Sequence, residues 1–205
     1  PLCVHRRCAS PMFDLSNEIA YNGFMIQAQP REESHPILGP SGWFQVAGPA
    51  TKKQWVPAQG LVVAQLLTHV YGGGAWARYD EDTEEASARE IFLISPFRAV
   101  AHELIGVVNR VGKQLGLSQS TVKMLRSRVG TIHTMQGKEA AMVVLVLGCD
   151  ATTAGAASWA GESPNLLNVA ITRARNLVYV IGDQDVWHNK GFFSDLQKRL
   201  PVRIL

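Results

Sequence analysis

The sequence predicts a three-layer α/β domain built on a mostly parallel sheet, and two observations carry that expectation. Three apolar runs, IFLIS at 91–95, MVVLVLG at 142–148 and LVYVIG at 177–182, are rich in β-branched and aromatic residues. None alternates with polar residues, which is the pattern of strands covered on both faces. Between the runs lie helical patterns long enough to serve as the crossovers that parallel strands require.

Taken along the chain, PMFDLSNEIA (11–20) has helical spacing, WFQV (43–46) reads as a short strand and PAQGLVVAQLLTHV (57–70) as a helix. IFLIS then leads into a helix over FRAVAHELIGVVNRVGKQL (97–115). VGTIH (129–133) is a further short strand, NLLNVAITRAR (165–175) a helix and FSDLQKRL (193–200) a last one. Gly and Pro cluster at 36–50 and 72–74, and the acidic run Asp80 to Glu85 that follows reads as a solvated loop or a helix start. There is no internal repeat and no low-complexity tract.

Composition bounds the function. A chain of 205 residues suits one large domain, and 46% hydrophobic residues supply a real core, which excludes wholesale disorder. Charged residues make up 18%, and mean hydropathy is +0.01. No apolar run approaches the roughly 18 residues of a membrane span, and PLCVHRRCAS lacks a secretory signal pattern. Cys3, Cys8 and Cys149 are scattered without C-x-x-C spacing, so a reduced, cytoplasmic chain without a metal site is expected. A net charge of +3 and a pI near 8.9 permit nucleic-acid binding without requiring it.

Ligands of open α/β sheets usually sit at the carboxyl ends of the strands. That rule directs attention to Ser95-Pro96-Phe97-Arg98, to Thr134 through Glu139, and to Thr172-Arg173-Ala174-Arg175 before LVYVIG. Each puts a polar or cationic group at an element boundary, where a phosphate-bearing ligand could be met. The alternative for each is a capped turn or a snorkelling arginine. Absences are equally informative. There is no G-x-x-x-x-G-K-[ST] to cradle phosphates, no strand ending in Asp-Glu for magnesium, no G-x-S-x-G and no H-E-x-x-H.

These residues resemble a known family. Val129 to Glu139 with its following strand looks like motif V of superfamily 1 helicases, and Asn165 to Arg175 with Gly182-Asp183 looks like motif VI. His5-Arg6-Arg7-Cys8, followed by Pro11 and Ser16-Asn17, resembles the segment that opens the second motor domain, and Ile94 to Arg98 resembles the strand-to-helix motif near the nucleic-acid track. The branch it resembles most contains the nonsense-mediated-decay helicase. The resemblance implies a RecA-like fold over 1–205 as one carboxyl-terminal motor domain. The amino-terminal RecA-like domain, with its phosphate loop and magnesium site, is then expected elsewhere in a longer protein, as the missing initial Met also suggests.

The resemblance also implies roles. Arg173 takes the place of the arginine finger, and a guanidinium that forks onto phosphate oxygens suits that task. Arg7 is the second phosphate-facing residue, and Arg6 stands where a ring stacks on adenine. Glu139 matches the carboxylate that bonds the ribose. Gln136, Gly137 and Lys138 help position the nucleotide, with Gly137 allowing close backbone approach. Ser95, Arg98, Thr131, His133 and Thr134 fall on the nucleic-acid track, where hydroxyls, imidazole and cations give sequence-independent phosphate contacts. A buried, structural histidine is the alternative for His133.

Arg175, two positions beyond Arg173 on the predicted helix, should point elsewhere. Phe97, Trp43, Trp55, Trp159 and Trp187 are read as packing residues, and Met12, Met25 and Met142 as core filler. The Lys52-Lys53 segment is expected to connect elements without forming a groove.

The function so implied is the second motor half of an ATP-dependent helicase or translocase on single-stranded DNA or RNA. ATP and Mg2+ would be bound mainly by the other motor domain, and the 205 residues alone are expected to be inactive. The alternative is a non-catalytic nucleic-acid-binding or regulatory domain that keeps the fold.

Overall fold

The computed structural model describes residues 4–28, 34–35, 38–72 and 91–203. Cys3, Gly73, Gly74 and the acidic run Asp80 to Glu85 lie outside the described residues.

The chain opens with β1 (Val4–His5), α1 (Met12–Tyr21) and β2 (Ile26–Gln27), the two strands pairing in parallel as a small ribbon. β3 (Ser34–His35) and β4 (Gly39–Pro40) form a second, antiparallel ribbon. The body then follows as β5 (Gly42–Gln45), α2 (Pro57–Tyr71), β6 (Ile91–Ser95), α3 (Arg98–Leu115), α4 (Gln119–Ser127) and β7 (Val129–Thr131). It continues through β8 (Ala140–Val146), α5 (Ala154–Gly161), α6 (Pro164–Ile171), β9 (Ala174–Gly182), α7 (Gln184–Trp187), α8 (Phe193–Arg199) and β10 (Val202–Arg203).

Strands β10-β5-β9-β8-β6-β7, in that order, form a six-stranded sheet in which every pairing is parallel. All five residues of β6 and all seven of β8 are buried. Both faces of the sheet's centre are therefore covered, and near-continuous apolar runs are what that placement demands. Helices pack in two sets, α3 with α2 and α4, and α1 with α6 and α8. The architecture is the expected RecA-like α/β fold.

Element boundaries depart from the sequence reading for local reasons. The helix expected over 165–175 stops at Ile171. Thr172 Oγ1 folds back to donate to Asn168 O at 2.7 Å, and Ala174 already pairs with Ala140 of β8. Arg175 thus lies exposed on a strand, not on a helix. The strand expected at 142–148 begins at Ala140 through that same pairing, and it cannot reach Gly148, whose φ is 61°. The strand expected over 129–133 ends at Thr131, because His133–Met135 forms one tight helical turn. Helices α4 and α5 were not anticipated. Ser118 caps α4 by accepting from Thr121 N at 3.1 Å.

Candidate functional site

Two groups of polar residues assemble at opposite ends of the sheet. The first lies at the amino ends of β8 and β9, against the turn after β1. Glu139 immediately precedes β8 and Arg173 immediately precedes β9. The carboxyl-end rule therefore misplaces both of these residues.

The side chain of Arg173 is only 4% exposed. Its Nε donates to Val169 O at 3.0 Å, Nη1 to Lys138 O at 3.0 Å and Nη2 to Thr172 Oγ1 at 3.4 Å. Three of its five N–H donors are thus engaged, two of them on main-chain carbonyls. Burial, then the neighbouring Arg7, holds its pKa below the ordinary guanidinium value.

Arg7 is an open cation of this group. Its side chain is 58% exposed and its Nε lies 3.1 Å from Glu139 Oε1. Beneath the pair, His5 Nε2 lies 3.0 Å from Cys8 Sγ, with both residues buried. Burial, with Glu139 adding to it, pushes the Cys8 thiol up to about 12, and burial followed by Arg7 lowers His5. This His5–Cys8 contact was missed in the sequence, where His5 counted only as part of a motif.

Arg6, Gln136, Gly137 and Lys138 are exposed around the same corner. Gly137 is needed for its φ of 85°, and a Cβ there would touch nothing.

The second group lies at the carboxyl ends of β6 and β7. A groove of about 830 Å³ opens there, and Arg98, Thr131, His133, Thr134, Lys53 and Trp159 all line it. His133 is exposed, which removes the buried-histidine alternative. Thr134 N donates to Thr131 Oγ1 at 3.3 Å, and Thr134 Oγ1 donates to Thr131 O at 2.9 Å, so the two threonines brace one turn.

Ser95 does not face the groove. It is fully buried, and its Oγ accepts from Phe97 N at 3.2 Å, which fixes the turn into α3. A direct contact from Ser95 to a ligand is thus corrected to a supporting one.

Phe97, Trp43, Trp55 and Trp187 are buried as expected, and so are Met12 and Met142, while Met25 is half-buried. Trp159 is the exception. It is 53% exposed and stands beside Phe97 with ring centroids 6.3 Å apart. Lys52 and Lys53 line the groove as well, so their loop does more than connect elements. Trp159 carried one legible signal, a single large ring in the small-residue run AGAASWAG.

One segment spans both groups. Thr131 pairs with Ser95 at the carboxyl end of β6, whereas Met142 pairs with Ile91 at its amino end. Residues 132–139 must therefore run back along the sheet by roughly 20 Å, at about 3.3 Å per strand residue. The segment that carries His133 and Thr134 at one end carries Lys138 and Glu139 at the other.

Among the described residues, no group of three or more His, Cys, Asp or Glu is placed to hold a metal ion, and no helix is long and apolar enough to cross a membrane. None of the curated proteins compared with the chain matches it. A family model described as an AAA domain matches residues 2–185, which includes both groups of residues and all of the sheet except β10. The chain therefore belongs to this AAA-domain family of helicase-type motor domains.

Proposed function

We propose that the chain is the second motor domain of an ATP-dependent helicase or translocase. In this reading Arg7, Glu139 and Arg173 form one wall of a composite nucleotide pocket. Arg98, Thr131, His133 and Thr134 carry part of a single-strand track. The observation that supports it most is the assembly of Arg7, Glu139 and Arg173 at one corner, with a single segment linking that corner to the groove.

The residues present suit a nucleoside triphosphate. Arg7 offers an open guanidinium to phosphate oxygens, and Glu139 offers a carboxylate to ribose hydroxyls. ATP, when bound, supplies the phosphoryl group whose transfer drives the motor. Arg173 anchors the main chain of Lys138 and keeps two N–H donors for a phosphate oxygen. In this reading the metal and the phosphate-cradling loop belong to the other motor domain.

At the other end, cations and hydroxyls would hold the sugar-phosphate backbone without reading sequence. A change at Lys138–Glu139 would reach His133–Thr134 through the segment they share.

The burial of Arg173 favours a second reading, in which it only braces the fold and the domain is a non-catalytic nucleic-acid-binding module. One experiment separates the two. In the protein that joins this chain to its other motor domain, Arg7→Ala should abolish ATP turnover stimulated by single strands. Undiminished turnover favours the binding module.

A further inference from the structure

The groove has a wall that none of the family-like segments accounts for. Two lysines, Lys52 and Lys53, hold φ values of 45° and 74°. Non-glycine residues in the left-handed region are uncommon and cost about 1–3 kcal/mol each unless the surroundings impose them.

Here the surroundings do. Thr51 N donates to Trp55 O at 2.6 Å, Cys149 N donates to Gln54 O at 2.9 Å, and Ala50 N donates to Asp150 Oδ2 at 2.7 Å. Gly148, at φ 61°, leaves room for the Gln54 carbonyl where a Cβ would stand. The turn is clamped to the end of β8 and delivers both lysines to the groove.

Its charge is sorted. Glu103 is the one carboxylate among the lining residues, against the cations Lys52, Lys53 and Arg98. Lys52 Nζ sits 3.0 and 3.1 Å from the two Glu103 oxygens, and His102 Nδ1 lies 3.5 Å from one of them. Lys53 and Arg98 are left as the net positive charge. Across the same groove stands the half-exposed indole of Trp159, supported by Phe97.

We propose that Trp159 is a stacking platform for one unpaired base of a single strand, and that Lys53 holds an adjoining phosphate. An indole face accepts any base, provided that base is free of a duplex stack. A cation beside it neutralises the backbone that carries the base. Lys52 acts through Glu103, by removing a negative charge that would repel the strand. This inference rests on the single-strand reading of the groove and adds its base-contacting element.

The test compares binding of the whole 205-residue chain to oligothymidylate and to an abasic strand of the same length, by fluorescence anisotropy. Trp159→Ala should weaken oligothymidylate binding about 5- to 150-fold, the range that corresponds to one stacked base. It should leave abasic-strand binding unchanged, and Trp159→Phe should restore most of the loss. Lys53→Gln should weaken both strands alike and flatten the salt dependence by about 0.7 in log–log slope.

Equal binding of oligothymidylate by Trp159→Ala and the unaltered chain overturns the stacking inference, as does an equal loss on both strands. If Arg98→Ala with His133→Ala still weakens binding in that case, only the inference fails. If the unaltered chain binds neither strand, the groove reading and the inference fail together.

Discussion

Arg173 brackets Glu139 from both sides. Its guanidinium donates to the carbonyl of Lys138 at 3.0 Å, and its own carbonyl accepts from the amide of Ala140 at 3.0 Å. Two segments 35 positions apart in the chain are thereby locked at one corner of the sheet. The carboxylate between those contacts is the one that faces Arg7.

Arg173 should accordingly be structural as well as functional. Arg173→Ala removes the guanidinium donor from the Lys138 carbonyl and leaves the Val169 carbonyl only the longer contact from Thr172 Oγ1, and a lost buried hydrogen bond costs about 1–3 kcal/mol. Arg173→Lys should recover little, because an ammonium cannot reproduce the planar fork. Urea unfolding of the two variants measures this. A wild-type midpoint for Arg173→Ala would show that the bracket adds nothing to stability.

Arg7 should behave in the opposite way. Its pair with Glu139 is substantially exposed, and such pairs contribute about 0–1 kcal/mol. Arg7→Ala should therefore unfold within about 1 kcal/mol of the unaltered chain. The same substitution should remove ATP turnover in the complete motor. Comparing unfolding midpoints with turnover separates a functional cation from a structural one.

Stability should fall with acid through His35. This buried residue accepts from Leu38 N at 3.0 Å through Nδ1, and burial lowers its pKa to about 4. Between about 4 and the ordinary 6.5, the unfolded chain binds a proton that the folded chain refuses. Stability from this group is complete above about 6.5 and is lost as pH falls, by up to about 1.4 kcal/mol per pH unit. Replacing His35 by Asn should flatten that part of the stability profile, measured by denaturant unfolding at a series of pH values.

Cys8 and Cys149 should resist thiol reagents in the folded chain. Both are buried, and burial pushes their thiols up to about 12 and about 11. The thiolate is the reactive form. Mass spectrometry after alkylation at mildly alkaline pH should find both unmodified, and both modified once urea is added. Rapid native labelling of Cys8 would contradict the packing around His5 and Glu139.

Much of the fold is legible from the apolar runs, because a strand buried on both faces announces itself by unbroken hydrophobicity. IFLIS coincides with β6 residue for residue. The misread boundaries lie where tertiary pairing overrides local pattern. Ala174 and Arg175 continue a helical spacing in sequence but are drawn into β9 by its pairing with β8.

The corner of Arg7, Glu139 and Arg173 is legible only through motif resemblance, since no spacing rule joins residues so far apart. Trp159 and the Lys52-Lys53 turn escape sequence reading for another reason. The exposure of the ring and the left-handed backbone of the lysines are set by packing against Phe97 and Gln54's partner Cys149.

The most direct measurement takes the complete two-domain motor and reads two quantities from Arg7→Ala and Arg173→Ala, namely strand-stimulated ATP turnover and single-strand affinity. With the nucleotide wall and the strand groove at opposite ends of the sheet, turnover should fall by roughly 10³ or more, as loss of an arginine finger does elsewhere. Affinity for the strand, measured without nucleotide, should stay within about threefold, well under the 1.4 kcal/mol that a tenfold change represents. Turnover that survives both substitutions, or affinity that collapses with it, would contradict the division of the domain into those two ends.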